Sequence, residues 1–477
     1  MRKMYVLSYL FVALVSVHSH AANTPNFILV LTDDHGWTSL STPMDQSRPW
    51  AKSDYYRTPN MDALVNSGMR FSNGYAAAPV CAPSRYSLQF GQSSARLHRT
   101  WAQGKNQVDH NQMGIAQVLK AIDPNYRAAH FGKWHIDASP DRYGYDVHDG
   151  ITKNREGDFV NNQPKRQWRG YADEDPKRVY SLTQRTIEFI KESVEEDRPF
   201  FVQLSHYAVH SNLVYSQESF DEVGRWKKGK IHNNHAYAAM TRDLDLSVGA
   251  LLEAYDALGL ADNTYIIFTA DNGGMPVLPL KLTGGKPYKS GLNMPLQRGK
   301  WDLTEGGLRV PFAIRGPGIQ AGSQSDTPVV GYDLLPTLAD LAGSSEGLPA
   351  EIDGGSLRPL LSNPQAAVQR SFDGLVFHFP HYNGAGLDEP HSALRSGDYK
   401  LLKFHASNRS LLFKVDSDVG ESTDLSDRDP ARKAYMEGLL AGYLDDVDAE
   451  RPDACFSWTK RGRNGSVKTL FLNRYLQ

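Results

Sequence analysis

Four short apolar runs recur along the first part of the chain, and helix-like stretches separate them. The runs are rich in branched and aromatic side chains and lie at residues 27–31, 126–131, 200–204 and 265–268. Continuous runs of this length are typical of strands that are buried on both faces of a parallel sheet. The intervening stretches predict helices at 113–121, 179–195 and 236–258. Strands that alternate with helices predict an α/β fold with a large, mostly parallel sheet between helical layers.

The pattern changes after about residue 343, where glycine and serine interrupt the chain. Shorter, alternating runs follow at 375–379, 399–403 and 410–413, and a helical stretch follows at 431–447. This pattern predicts a small antiparallel sheet followed by a helix. We therefore expect a larger α/β domain at 22–365 and a small C-terminal α+β subdomain at 366–477.

The first residues form a segment of their own. A positive start at residues 2–3 precedes an apolar run at 4–17 and small residues up to Ala21. This order predicts a secretory signal peptide at 1–21 that is cleaved near Ala21, with a buried N-terminal helix as the alternative. The apolar run is shorter than the roughly 20 residues of a membrane helix. We expect an exported protein, periplasmic or secreted, that is not held in a membrane.

Composition narrows the class of protein further. The 477 residues include 52 Lys and Arg against 54 Asp and Glu, and 40% of them are hydrophobic. These values describe an ordinary globular protein without the basic field that nucleic-acid binding needs. Two cysteines cannot form a disulfide framework or a cysteine-rich zinc site.

Polar residues follow each of the four predicted strands, where open α/β sheets bind their ligands. They are, in chain order, Asp33, Asp34, His35, Lys133, His135, His206, His210, Asp271 and Asn272. Carboxylate and amide oxygens suit Ca²⁺ or Mg²⁺ better than Zn²⁺. Lysine and histidine beside such a metal suit an anionic group that reacts and exchanges a proton. Each residue alone can equally cap a helix or lie on the surface, so the prediction depends on their convergence.

A candidate nucleophile, Cys81, lies four residues before Arg85. A helical stretch at 86–90 places Cys81 at a helix N-terminus, where the dipole favours negative charge. Arg85 lies in the first turn and can bind an anion through its guanidinium fork. On the residues alone, a buried structural cysteine and a disulfide to Cys455 remain alternatives.

The motif Cys81-x-Pro83-x-Arg85 resembles the signature of the formylglycine-dependent type I sulfatases of the alkaline phosphatase superfamily. Further segments resemble that family's segments in the same order: 26–34, 126–135, 208–210, 269–273, 299–300, 305–311 and 333–337, with a fainter likeness at 395–400. The chain departs from the family at Phe90, where the family has threonine, and in a segment at 274–298 that precedes Lys300.

The resemblance implies an alkaline-phosphatase-like fold and a sulfatase that hydrolyses the O-sulfate esters of a poly- or oligosaccharide. It also implies that a maturation enzyme converts Cys81 to formylglycine (3-oxoalanine), whose hydrated aldehyde attacks sulfur. By the same resemblance, one calcium ion is bound by Asp33, Asp34, Asp271, Asn272 and the converted Cys81. The resemblance also implies the catalytic residues. Cys81, Arg85, Lys133 and Lys300 face the sulfate. His210 protonates the leaving oxygen, and His135 takes a proton from the second hydroxyl. His35 is expected to be structural, and His206 is left between the two roles.

Two other functions stay open. The first is a phosphodiesterase or phosphonate hydrolase on the same scaffold, which would use a similar aldehyde. The second is a non-catalytic binder of sulfated glycans with Cys81 unconverted. A set of histidines and lysines suited to proton exchange favours an enzyme over a binder, because binding alone needs no proton donor or acceptor.

Overall fold

The computed structural model describes residues 24–101, 108–157, 170–275, 293–344, 348–381 and 389–452. The predicted signal peptide, Cys455 and most of the segment at 274–298 lie outside the described residues. Within those ranges, no helix combines the length and the apolar content that a bilayer span requires.

The described residues form strands and helices in alternation over most of the chain. The strands are β1 (Asn26–Thr32), β2 (Met69–Phe71), β3 (Gly74–Tyr75), β4 (Arg127–Gly132), β5 (Val147–His148), β6 (Gly170–Ala172), β7 (Phe200–Ser205), β8 (Leu213–Tyr215), β9 (Thr264–Ala270), β10 (Ala313–Arg315), β11 (Ser323–Ser325), β12 (Val329–Val330), β13 (Leu375–Phe379), β14 (His391–Ser396), β15 (Tyr399–Phe404) and β16 (Ser410–Phe413). The helices are α1 (Pro59–Asn66), α2 (Cys81–Phe90), α3 (Ile115–Ile122), α4 (Asn154–Gly157), α5 (Val179–Glu195), α6 (Gln217–Gly224), α7 (His235–Ala257), α8 (Glu305–Leu308), α9 (Leu334–Leu341), α10 (Arg358–Ser362) and α11 (Pro430–Asp446).

The central sheet has the strand order β11-β2-β10-β9-β1-β7-β4-β5. Strands β9, β1, β7, β4 and β5 run parallel, whereas β10 runs antiparallel to β9. The four strands predicted from the apolar runs are the central neighbours β9, β1, β7 and β4. Their carboxyl ends therefore lie side by side at one edge of the sheet.

Helices cover both faces of this sheet, as the continuous apolar runs predict. On β1, Ile28 and Val30 pack into the core on one face with α1, α5, α6 and α7. The alternate residues Phe27, Leu29 and Leu31 pack into the core on the other face with α2, α3, α9 and α10. The predicted fold class, a large mostly parallel sheet between helical layers, is confirmed.

A second, antiparallel sheet in the order β13-β14-β15-β16 follows the large sheet in the chain. Helix α11 packs on one face of this C-terminal sheet through residues such as Met436 and Leu440. The opposite face packs against the larger part of the molecule, where Phe377 and Leu402 share a core with Tyr75. The small sheet and its helix were predicted, although β14 was not among the predicted strands. The domain boundary at residue 365 stays a prediction.

Candidate active site

The carboxyl ends of the central strands bring the predicted polar residues to one edge of the sheet. Asp33 and Asp34 follow β1, Lys133 follows β4, and Asp271 follows β9. The main chain joins these segments just beyond the strands, where the N–H of Asp33 donates to Ala208 O at 2.9 Å. Residues from distant parts of the sequence therefore share a single site.

A glycine allows β4 and β7 to meet directly before Lys133. Gly132 has a φ of +98°, and a Cβ atom there would lie 2.0 Å from Ser205 O. Both features exclude a side chain at this position. The N–H of Lys133 donates to the same oxygen at 2.8 Å, so this close approach fixes the point at which Lys133 leaves the strand.

Cys81 is the first residue of α2 and lies among the charged groups of the site. Its Sγ lies 3.4 Å from Asp33 Oδ1 and 3.7 Å from Asp34 Oδ1, and Lys300 Nζ donates to it at 3.2 Å. The residue is buried and its thiol is free. Cys455, the alternative disulfide partner, lies outside the described residues.

Two of the carboxylates are each paired with a buried lysine. Lys133 Nζ donates to Asp33 Oδ2, and Lys300 Nζ donates to Asp34 Oδ1 at 2.7 Å and to its Oδ2 at 2.9 Å. Burial opposes the charge of Asp33, but Lys133 holds the pKa of this carboxyl below its usual value. Burial also opposes the charge of both lysines, yet the neighbouring carboxylates raise their pKa. The lysines are therefore charged.

The third carboxylate is paired with the arginine of the cysteine motif. Arg85 Nε and Nη2 each lie 2.9 Å from Asp271 Oδ2, and Arg85 Nη1 donates to Lys133 O. Burial and the nearby Asp33 raise the pKa of Asp271 to about 6. Burial, Asp271 and Asp33 also raise the pKa of the Cys81 thiol, which outweighs the helix dipole that the sequence suggested. With the charges of the chain alone, Cys81 is a thiol and not a thiolate.

Two histidines of the prediction lie at the site as neutral rings. His210 Nε2 lies 3.7 Å from Asp34 Oδ2, while its Nδ1 faces Ser211 O. The Nδ1 of His135 is buried and has no hydrogen-bond partner among the residues that the structure describes. Burial, reinforced by the nearby lysines, lowers the pKa of both rings well below the usual value.

The other two histidines, His35 and His206, are fully buried. Burial lowers the pKa of His206 to about 3, and neither of its ring nitrogens has a hydrogen-bond partner in the described part of the chain. His35 Nδ1 lies 3.2 Å from Thr32 Oγ1, and its ring packs edge-on against Phe268. The contacts of His35 support the structural role expected for it, whereas the role of His206 stays open.

The site offers ligand atoms for a metal ion. One such atom from each of Asp33, Asp34, Cys81 and His210 lies within 4.8 Å of all the others, although His210 was predicted to transfer a proton and not to bind the metal. Asn272 Nδ2 donates to Asp34 Oδ1 at 2.8 Å, whereas its buried Oδ1 has no partner among the described residues. An unpaired amide oxygen beside carboxylates is a typical Ca²⁺ ligand, so the residues present fit a calcium ion.

Thr152 holds the loop that carries Lys133 and His135, and the sequence analysis missed it. Its hydroxyl accepts a hydrogen bond from Trp134 N at 2.9 Å and donates one to Gly132 O. Its carbonyl oxygen accepts the N–H of His135 at 2.8 Å. These contacts join Thr152 to main-chain atoms, and no side-chain pattern in the sequence signals them.

Comparison with known families agrees with this geometry. The family model described as "Sulfatase" matches residues 25–344, and one described as "N-sulphoglucosamine sulphohydrolase, C-terminal" matches residues 299–440. The chain belongs to the sulfatase family and is a sulfuric ester hydrolase.

Individual relatives span most of the chain. A sulfatase of Formosa agariphila is 27% identical over 89% of each chain. The human N-acetylgalactosamine-6-sulfatase is 30% identical and covers 72% of this chain and 67% of its own length. Among solved structures, Ps i-CgsB in complex with k-i-k-neocarrahexaose has a TM-score of 0.71 and 25% identity, and the match covers 90% of this chain and 94% of that one.

We expect Thr152→Val to destabilise the protein and to lower its activity, whereas Thr152→Ser retains both. Valine has nearly the shape of threonine but leaves the buried N–H of Trp134 without an acceptor. Such a loss costs about 1–3 kcal/mol. Urea unfolding of the two variants, together with turnover of an aryl sulfate, measures the difference. Equal stability and activity of the two variants would show that the hydroxyl does not hold the loop.

Proposed function

We propose that this chain hydrolyses O-sulfate esters of a poly- or oligosaccharide, and that a formylglycine made from Cys81 is its nucleophile. The observation that carries the proposal is the position of Cys81 Sγ, which contacts both Asp33 of the metal-ligand group and Lys300. A nucleophile, oxygen ligands and a buried cation within one small volume suit attack on an anionic ester. The names of the relatives support a sugar sulfate as substrate.

The chemistry of the thiol supports its conversion. A buried thiol whose pKa is raised is a weak nucleophile, because the thiolate is the reactive form. A hydrated aldehyde at position 81 supplies one hydroxyl whose oxygen bonds to sulfur as the bond from sulfur to the leaving alcohol oxygen breaks. Deprotonation of the second hydroxyl then breaks the carbon–oxygen bond to the sulfate and restores the aldehyde. The conversion requires a maturation enzyme, which is the protein partner that we propose.

We propose that Asp33, Asp34, Asp271, Asn272 and residue 81 hold one calcium ion. When bound, such an ion would supply positive charge for the sulfate group and would lower the pKa of the attacking hydroxyl. The unpaired Oδ1 of Asn272 and the carboxylates of the two aspartates that follow β1 support this ligand set.

Three cations of the chain itself neutralise the sulfuryl oxygens in our proposal: Lys133, Lys300 and Arg85. All three are at least 95% buried, so each acts with little screening by water. Their present partners are carboxylates of the same site, which hold them in place before a substrate arrives.

The two histidines, which are neutral in the free site, exchange protons at the two ends of the reaction, and His210 must first gain a proton on Nε2 because its Nδ1 faces Ser211 O. A lowered pKa keeps the His135 ring neutral, so a ring nitrogen is available to accept a proton from the second hydroxyl at position 81. His210 donates a proton from Nε2 to the leaving oxygen. Burial and the positive charges of Lys300 and Lys133 lower the pKa of His210 in the free site. An anionic ester offsets these charges, so binding of the ester favours the protonated ring.

The proposed substrate fits the proposed location. A signal peptide at 1–21 would export the chain to the periplasm or beyond the cell, where sulfated polysaccharides are available. A phosphodiesterase or phosphonate hydrolase on the same scaffold is the alternative activity, and sulfate release against phosphate release from matched esters separates the two.

Conversion of Cys81 is tested by mass spectrometry of the tryptic peptide 71–85. In protein produced together with a maturation enzyme, we expect this peptide to be lighter by about 18 Da, since the aldehyde replaces the thiol. The Cys81→Ala variant should show neither conversion nor turnover. Full turnover by a protein whose Cys81 is still a thiol would contradict the proposed nucleophile.

Removal of divalent cations should abolish turnover, and Ca²⁺ should restore it. In the unconverted protein, Ca²⁺ at about 100 times its dissociation constant should stabilise the fold by about 2.7 kcal/mol. Asn272→Ala should reduce this gain, because it removes a ligand oxygen. Asn26→Ala is the matched control, since Asn26 is also buried but lies at the opposite end of β1. Unchanged calcium affinity in Asn272→Ala would argue against the ligand set.

Replacement of His210 should affect poor leaving groups most. We expect His210→Ala to slow sugar sulfates by about 10²–10⁴-fold, the usual contribution of a general acid. Aryl sulfates should lose far less, because their leaving oxygen needs little protonation. The control His206→Ala, in the same segment, should change the turnover of both substrates by the same factor. Equal losses for both substrates in His210→Ala would remove His210 from the leaving-group role.

A further inference from the structure

Two sequence segments that the sulfate site does not use, 305–311 and 395–400, meet in the structure. Lys400 of β15 is buried, and its Nζ lies 2.9 Å from Glu305 Oε1 and 2.9 Å from Glu421 Oε1. The main-chain N–H of Glu305 donates to Glu421 Oε2 at 2.8 Å. Glu305 begins α8, five residues after Lys300. The C-terminal sheet therefore contacts the start of α8 through the buried ion pair between Lys400 and Glu305.

Glu305 also contacts two residues outside the C-terminal sheet. Arg309 Nε lies 2.6 Å from Glu305 Oε2, and Tyr75 Oη donates to the same oxygen at 3.0 Å. Burial opposes its charge, but Lys400 and Arg309 lower the pKa of Glu305 to about 2. A fully buried carboxylate with these partners cannot move without leaving charges unpaired, which is costly.

A second contact reaches the same loop from β14. The N–H of Leu303 donates to His391 Nε2 at 3.1 Å, and His391 Nδ1 lies 2.8 Å from Glu389 O. The carbonyl of Glu389 requires a proton on Nδ1, which leaves Nε2 as the acceptor. Burial lowers the pKa of His391 to about 3, so the ring keeps this tautomer at neutral pH.

The loop that receives these contacts carries Lys300 as part of one bonded unit. The N–H of Gly306 donates to Gln297 O at 3.1 Å, and that of Asp302 donates to Gly299 O at 3.0 Å. The N–H of Lys300 donates to Gly274 O at 3.0 Å. A displacement of the loop at residues 303–305 therefore moves the backbone of Lys300.

We infer that the C-terminal sheet positions Lys300, and that His391 and Lys400 are positioning residues for sulfate-ester hydrolysis. This inference rests on the role proposed above for Lys300. The geometry leaves little tolerance, because the Lys300 ammonium contacts both Asp34 and the Cys81 sulfur. Misplacement of a catalytic group by about 1 Å can cost 10²-fold in rate.

The test is a double-mutant cycle between His391 and Lys300, measured as kcat and KM for an aryl sulfate. His391→Phe keeps the aromatic packing of the ring against Phe379 and Phe404 but removes the acceptor for Leu303 N–H. We expect it to lower kcat by about 10–10²-fold with little change in KM. In the Lys300→Ala background the same change should have no further effect, since coupled residues are not additive.

Two further variants separate positioning from stability. His391→Gln can still accept a hydrogen bond and should recover most of the lost kcat. Phe379→Leu disturbs the same packing without touching Leu303 N–H, so it should leave kcat unchanged. If His391→Phe does not fold, Glu421→Ala replaces it in the same double-mutant cycle with Lys300→Ala. Glu421→Ala removes the acceptor for Glu305 N–H, and its effect on kcat should likewise disappear in the Lys300→Ala background.

The outcomes distinguish this inference from the proposed function. If Lys300→Ala alone leaves turnover unchanged, the role proposed for Lys300 is wrong, and the positioning inference is overturned with it. If Lys300→Ala lowers turnover but His391→Phe reduces kcat by the same factor in both backgrounds, the role of Lys300 stands and the positioning inference is overturned. Loss of the His391 effect in the Lys300→Ala background supports both.

Discussion

Three buried carboxylates and three buried cations hold the edge of the central sheet together. Asp33 is paired with Lys133, Asp34 with Lys300, and Asp271 with Arg85, and every one of these residues is at least 95% buried. Charges that are removed from water at this level are tolerated only in pairs. The carboxylates come from the ends of β1 and β9, whereas the cations come from the loop after β4, from α2 and from the loop before α8. The charge pairing therefore determines how these separate segments pack.

The strands of the sheet position the carboxylates of the site, whereas other contacts position its cations. Parallel strands fix the carboxylates, because the carboxyl ends of β9 and β1 are adjacent by hydrogen-bond register. The cations lie in loops and at a helix start, where no register fixes them, and each depends on its own local contacts. For Lys133 these are Gly132 and Thr152, and for Lys300 they are main-chain bonds of its loop.

The structural features that could be predicted from the sequence are those that residues close together in the chain determine. The central strands were found because strands buried on both faces are continuous apolar runs. Strand β14 was missed because it carries His391, Ser392 and Arg395, which are buried but polar. The place of Cys81 at a helix start follows from its neighbours in sequence, but the direction of its pKa shift does not. The shift comes from burial and from Asp271 and Asp33, which only the fold brings close.

Because local contacts and not the strand register position the cations, main-chain contacts from another sheet matter for Lys300, the lysine that we propose to be catalytic. A cation bound by Asp34 would compete for the oxygens that Lys300 now contacts, and the ammonium would then be free to face an anionic ligand. A lysine held only by Asp34 would lose its position when its ammonium left that carboxylate for an anionic ligand. Backbone contacts from His391, and from Glu421 through Glu305, do not involve the oxygens of Asp34. They do not depend on which partner the Lys300 side chain has, so the lysine that stabilises the free site would keep its backbone position in the sulfate-binding role that we propose for it.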